Sequence, residues 1–282
     1  MVMHLHYHQP LFPFMGAFLF LFCLSLLQSG SMSDMSSTGA SSRMAASYSS
    51  GSSPSARKSP APYIIYLTFD DGPCVGSERV NELALKDNLM INVFLIGKNA
   101  YSTRNSKVFL KEYQANPMVE IGNHSFTHAG RHYAKYFKDP SEVLADFNRN
   151  QDSLKFSNNF ARLPGRNFFR IDSFARDEKN SGREAADTLA ARGYNIFGWD
   201  IEWRSRPIGG LHLHTGSEML DIVDKMLREK KTFRDDRIII LLHDPELKDP
   251  VFVNALENFI NRAKADGRYR FEHLSNYSVI PD

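Results

Sequence analysis

From residue 63 to the end of this 282-residue chain, short apolar runs alternate with amphipathic segments. Runs of strand length fall at 63–69, 91–96, 118–121, 194–199 and 237–242, with a weaker one at 160–163. Between them, Val80, Leu83 and Ala84 mark a helix over 77–86, and Val108, Phe109 and Tyr113 mark one over 106–114. Asp139-Pro140-Ser141-Glu142 reads as a cap with proline in the first turn, opening a helix that carries Val143, Leu144 and Phe147. Further helices are expected over 183–192, 217–229 and 251–265. Alternation sustained this long predicts an α/β architecture with a parallel sheet, closed or open.

Residues 1–62 are a different kind of sequence. Residues 11–27 are almost wholly apolar, about 17 in a row, between a signal-peptide core and a membrane span in length. Ser29, Gly30 and Ser31 suit a cleavage site, although His4, His6 and His8 stand where lysine or arginine usually precedes a signal. Residues 1–30 are therefore expected to be a signal peptide or an N-terminal membrane anchor. The domain that follows is then exported: periplasmic, secreted or membrane-tethered outside the cytoplasm. Residues 31–62, rich in Ser, Gly, Ala and Pro, read as a flexible linker, because they hold too little apolar surface to offset chain entropy. A net charge of +2 leaves no footprint for nucleic acid. With Cys23 inside the apolar run, Cys74 has no disulfide partner after cleavage, and it reads as a packing residue.

Residues able to do chemistry gather where the strands end. The first strand runs into Asp70-Asp71-Gly72-Pro73, and two adjacent carboxylates need a cation or an arginine between them. After the third strand, His124-Ser125-Phe126-Thr127-His128 places two histidines on one face of a helical turn, within reach of one metal. Asp71 with these two histidines is a set suited to Zn²⁺ or a similar divalent ion. Arg162, at the fourth strand end, is a natural counter-ion for a carboxylate that must stay ionised. Trp199-Asp200-Ile201-Glu202-Trp203 brings two acids and two indoles to the fifth, and indoles there make platforms for sugar rings. The buried run 238–242 ends in His243, whose ordinary pKa suits acid–base work. His212 and His214 read as solvated.

In this order, Thr68-Phe69-Asp70-Asp71-Gly72, the His124–His128 block, Arg162-Leu163-Pro164-Gly165-Arg166, the Trp199–Trp203 block and the strand ending at His243 resemble the polysaccharide deacetylases of carbohydrate esterase family 4. The resemblance runs from residue 63 to about the C-terminus. It implies one catalytic domain over 63–282, a distorted (β/α) barrel with its site at the C-terminal strand ends. It further implies that Asp71, His124 and His128 hold the metal, with Zn²⁺ first and Co²⁺, Ni²⁺ or Mn²⁺ as alternatives. Asp70 would be the base, paired with Arg162, and His243 the acid. Trp199, Trp203, Gly165 and Leu241 are the expected substrate contacts. Two departures stand out. Gly165 occupies a place where the family often has an aromatic residue. The compact fourth block leaves either Asp200 or Glu202 to orient His243.

The implied reaction removes N-acetyl groups from an N-acetylhexosamine polysaccharide such as peptidoglycan, a chitin-like polymer or poly-N-acetylglucosamine. The same site is also able to cleave O-acetyl esters, as on acetylated xylan. A tethered glycan-binding module without catalysis is the third reading, and the presence of every expected ligand and acid–base residue weighs against it.

Overall fold

The computed structural model describes residues 63–206 and 213–278. The expected signal or anchor, the expected linker and His212 lie outside the described residues. In chain order the elements are β1 (Tyr63–Gly72), α1 (Ser77–Lys86), β2 (Ile91–Leu95), α2 (Gly97–Ala100), α3 (Arg104–Ala115), β3 (Val119–Asn123), α4 (Tyr133–Tyr136) and α5 (Pro140–Leu154). They continue with β4 (Phe160–Ala161), β5 (Phe169–Ile171), β6 (Phe174–Arg176), α6 (Arg183–Ala191), β7 (Asn195–Ile196) and β8 (Ile201–Glu202). The last are α7 (Gly216–Arg228), β9 (Arg237–His243), α8 (Pro250–Asp266) and β10 (Tyr269–Phe271). The longer helices α3, α5, α7 and α8 start at side-chain caps. Asp139 accepts from the N–H groups of Ser141 and Glu142, and Thr215 and Glu218 cap one another at α7. Among the described residues no helix is long and apolar enough to cross a membrane.

The strands form one sheet in the order β6–β5–β7–β4–β3–β2–β1–β9–β8, with β10 joined to the first residues of β1. Only the pairings of β5 with β6 and with β7 are antiparallel. The sheet curls into a half-barrel whose end strands do not pair with each other, so the expected α/β barrel is present in its open, distorted form.

The spine is β1. Its Ile65, Leu67 and Phe69 face outward, into a core shared with α1, α7 and α8. Ile64 and Tyr66 face inward, packing with Phe94, Phe169, Phe197, Ile239 and Tyr277. Two-residue alternation carries Thr68 and Asp70 to that same inner face. The neighbouring β9 runs in register, Asp70 opposite His243, so alternation from Ile239 brings Leu241 and His243 inward too. A third core lies under α5 and α6, around Phe147, Leu189 and Ile196.

The expected runs at 160–163 and 194–199 shrink to two paired residues each, because the chain beyond β4 and β7 leaves the sheet toward the site. The hairpin β5–β6, β8 and β10 go beyond the sequence expectation. With two or three residues apiece, they are too short to display a periodicity.

Candidate active site

The inner face ends in a trough of about 570 Å³ at the C-terminal strand ends. Asp70 and Asp71 both line it, although consecutive strand residues normally diverge. The cause is a bulge: the β1–β2 register slips between Asp70 and Gly72, and Asp71 adopts φ 72°. The slip turns the second carboxylate back to the side of the first. Asn99 steadies the bulge by donating to the Asp71 carbonyl at 2.8 Å.

Arg162 is fully buried and holds Asp70. Its Nη1 donates to Asp70 Oδ1 at 2.9 Å and to Thr68 Oγ1 at 2.8 Å. Nε and Nη2 donate to the carbonyls of Phe197 and Gly198. Burial lowers the guanidinium pKa, and the Asp70 carboxylate works against that shift. This ion pair is buried except where Asp70 meets the trough, and it meets the requirement that a buried charge be both paired and hydrogen-bonded.

The histidine pair is not on a helix face, contrary to the expectation from its spacing. Ser125 and His128 take φ of 63° and 53°, and the His128 N–H donates to Ser125 Oγ at 3.0 Å. A tight turn, anchored where Asn123 donates to the Phe147 carbonyl of α5, brings the ring centroids to 4.9 Å. One ligand atom from each of Asp71, His124 and His128 then lies within 4.8 Å of the others. His124 Nδ1 sits 2.8 Å from the Arg162 carbonyl, which can only accept, so Nδ1 carries the proton and Nε2 presents a lone pair. Burial, reinforced by His128, depresses the His124 pKa to about 3, and its ring is neutral at pH 7. That lone pair faces Asp70 Oδ2 at 3.5 Å and Asp71 Oδ1 at 3.7 Å. Asp71 Oδ1 is itself buried without a hydrogen-bond partner. Acceptors converging without a donor are costly, and a cation relieves them. The residues therefore fit a divalent metal held by Asp71, His124 and His128.

Across the trough, His243 is half-buried, with Nε2 3.7 Å from Glu202 Oε1 and Nδ1 without a partner. Glu202 also accepts from Arg204 Nε at 2.8 Å. Trp199, Gly165 and Leu241 line the same trough.

Residues 57–162 match the family model described as polysaccharide deacetylase. Over those residues the chain is similar to the polysaccharide deacetylase family. Its fold is similar to that of a CE4 esterase from Streptococcus mutans, with TM-score 0.56 and 23% identity over 74% of this chain and 85% of that one. It is also similar to the catalytic domain of a peptidoglycan N-acetylglucosamine deacetylase from Eubacterium rectale, with TM-score 0.55 and 20% identity over 76% and 90% of the two chains. A family 4 acetyl xylan esterase from Clostridium thermocellum, in complex with a cobalt ion, gives TM-score 0.55 and 20% identity over 77% and 93%. Among curated protein sequences nothing matches.

Within this polysaccharide deacetylase fold, several expected residues fall elsewhere. Asp200 is not beside His243. It is level with Ile239, four residues short of His243 along β9, or about 13 Å at the usual rise per strand residue. There its carboxylate accepts from the N–H groups of Phe233 at 2.7 Å and Ile239 at 2.9 Å. Glu202, opposite Leu241, is the acid that reaches the histidine. Trp203 is no sugar platform. As the residue after Glu202 it points to the opposite face, 1% exposed, against Phe252 and Phe259 of α8. Cys74 is half-buried and lines a hollow beside Asp71, where a packing role was expected. Sequence reasoning missed Tyr133, Glu178, Arg204 and Glu246 as trough residues. Tyr133 is the informative one: its ring would lie 3.4 Å from a Cβ at Gly165, so an aromatic wall reaches this place from another element.

Proposed function

We propose that this chain is a metal-dependent N-deacetylase of N-acetylhexosamine polysaccharides. The observation that carries the reading is the pairing of two carboxylates with two tasks. Asp71 converges with His124 and His128, while Asp70, one residue away, has its Oδ1 held by Arg162 and its Oδ2 beside the same set. A bound divalent ion, Zn²⁺ by preference, would supply Lewis acidity, making water a nucleophile at neutral pH and polarising the acetyl carbonyl.

The remaining steps belong to the chain. Asp70 accepts the proton of the attacking water, with Arg162 holding its carboxylate in place. Gly165 lines the same trough, and its backbone N–H is the candidate donor to the tetrahedral oxyanion. His243 protonates the departing nitrogen, since an amine leaves poorly as an anion, and Glu202 Oε1 stands 3.7 Å from its Nε2 to orient the ring. Trp199 is a candidate wall for the sugar ring. Acetate and a free amino sugar result. The apolar run and Ser-rich stretch ahead of the domain support a location outside the cytoplasm in this reading.

The test is acetate release from chitooligosaccharide, peptidoglycan, poly-N-acetylglucosamine and acetylated xylan, before and after chelation and with Zn²⁺ restored. Release from an N-acetylated glycan that stops on chelation and returns with metal is expected. Release from acetylated xylan alone would make the chain an ester hydrolase. Glycan binding without any release would leave a binding module.

A further inference from the structure

Beside the catalytic trough lies a second hollow of about 640 Å³. Asp71, His128, Tyr133 and Pro245 line both, so the two form one groove with the candidate metal ligands at its junction. Tyr133 is the partition, its half-buried ring standing edge-on to His128 with centroids 5.8 Å apart. Each compartment falls in the size range of a small-ligand pocket.

Charge is segregated across that partition. Besides the shared Asp71, the catalytic side presents Asp70, Glu178, Glu202 and Glu246, and its one lysine or arginine is Arg204. The second hollow presents Lys98 and Arg131, and its sole carboxylate is the shared Asp71. Neither Lys98 nor Arg131 makes a side-chain ion pair among the described residues. Arg131 sits in a stretch where Ala129, Gly130 and Arg131 all adopt φ between 54° and 67°, a strained backbone of the kind that gathers at functional sites. The opposite flank of the trough, around Arg206 and Lys248, is different: Glu246 and Asp249 stand among its cations.

Building on the deacetylase reading, we propose that the second hollow binds the sugar next to the one being deacetylated, and that this neighbouring sugar carries a carboxylate. A neutral acetamido group enters the acid-rich side without penalty. A carboxylate there would meet Glu178 and Glu246, which lack the offset that Arg162 gives Asp70, Arg204 gives Glu202 and a metal would give Asp71, whereas Lys98 and Arg131 draw it beyond Tyr133. Arginine adds a planar fork that matches a carboxylate, and lysine a mobile point charge.

The experiment is calorimetric binding to the metal-loaded full chain of two N-acetylated trisaccharides, identical except for a carboxylate on the sugar flanking the central residue. The charged trisaccharide should bind about three- to ten-fold more tightly at low salt, as expected for two exposed ion pairs. That preference should shrink with rising ionic strength and fall to parity in Lys98→Ala/Arg131→Ala. Equal affinities in the wild type, a preference that survives the double substitution, or binding of neither sugar would overturn the proposal. Acetate release is scored separately. A preference without release refutes the deacetylase reading and leaves the anionic subsite standing; release without a preference refutes the subsite alone.

Discussion

The two walls of the trough are built to different standards of rigidity. On the β1–β4 wall Asp70 and His124 are locked. Arg162 spends its donors on four acceptors, one of them Asp70, and His124 is fixed by a backbone carbonyl. On the β8–β9 wall, His243 stands 3.7 Å from a glutamate that is shared with Arg204, and its second ring nitrogen has no partner. The difference follows the tasks proposed for them. Holding a cation and aiming a base need fixed geometry, and burial makes an error expensive: stranding a buried charge costs about 3–5 kcal/mol. Delivering a proton to a leaving group needs a side chain that settles only once substrate is bound, and catalytic hydrogen bonds are often long beforehand.

The contrast breaks most sharply at Asp70. Asp70→Asn should lower acetate release by about 10²–10⁴, the usual worth of general-base catalysis, while metal stays stoichiometric because Asp71, His124 and His128 are untouched. Turnover close to wild type would demote the locked wall to a scaffold. His243→Ala tests the looser wall. It should lose far more activity on an N-acetylated sugar than on an activated acetate ester, whose leaving group departs without a proton. Equal losses on the two substrates would make His243 a residue that positions substrate.

Trp203 sharpens the same comparison from behind the sheet. It is buried between β9 and α8, so Trp203→Ala should cost about 3–5 kcal/mol of stability by denaturant titration. Acetate release per folded molecule should stay near wild type. An activity loss without destabilisation would return the indole to the trough.

These corrections define what a sequence can reveal of such a chain. The outward residues Ile65, Leu67 and Phe69 betray β1 because burial imposes a two-residue period, and Val80, Leu83 and Ala84 betray α1 for the matching helical reason. Candidate ligands were legible because each follows a strand. What stayed hidden depends on register and on distant packing. Asp200 and Glu202 look interchangeable in sequence, and only the pairing of Ile201 with Ile240 tells which one is level with the mouth. Asp71 reaches the trough through a bulge that no local pattern announces. Tyr133 comes to Gly165 across 32 positions of chain, and glycine's lack of a side chain there is the one local hint of an approaching ring.

The smallest effect concerns how the two metal-facing histidines are held, which is the wall contrast repeated at one residue's scale. His124 is oriented by a carbonyl that no side-chain substitution removes. His128 instead has the Tyr133 hydroxyl 3.4 Å from its Nδ1, a long and half-buried contact. With Nε2 given to a metal shared with Asp71, whose Oδ1 stands 3.2 Å away, Nδ1 would carry the proton and donate to the tyrosine oxygen. Partners of this kind orient a ligand ring, and their loss typically weakens metal binding about 10–100-fold. The length of this bond puts Tyr133→Phe at the bottom of that range. Zn²⁺ affinity, measured by competition with a chromogenic chelator, should therefore fall by about ten-fold or less, with the aromatic wall beside Gly165 intact. Tyr133→Ala should match that loss in metal affinity and also weaken glycan binding, because it removes the ring as well. Unchanged Zn²⁺ affinity in Tyr133→Phe would mean that the left-handed turn through Ser125 and His128 holds the second imidazole by itself.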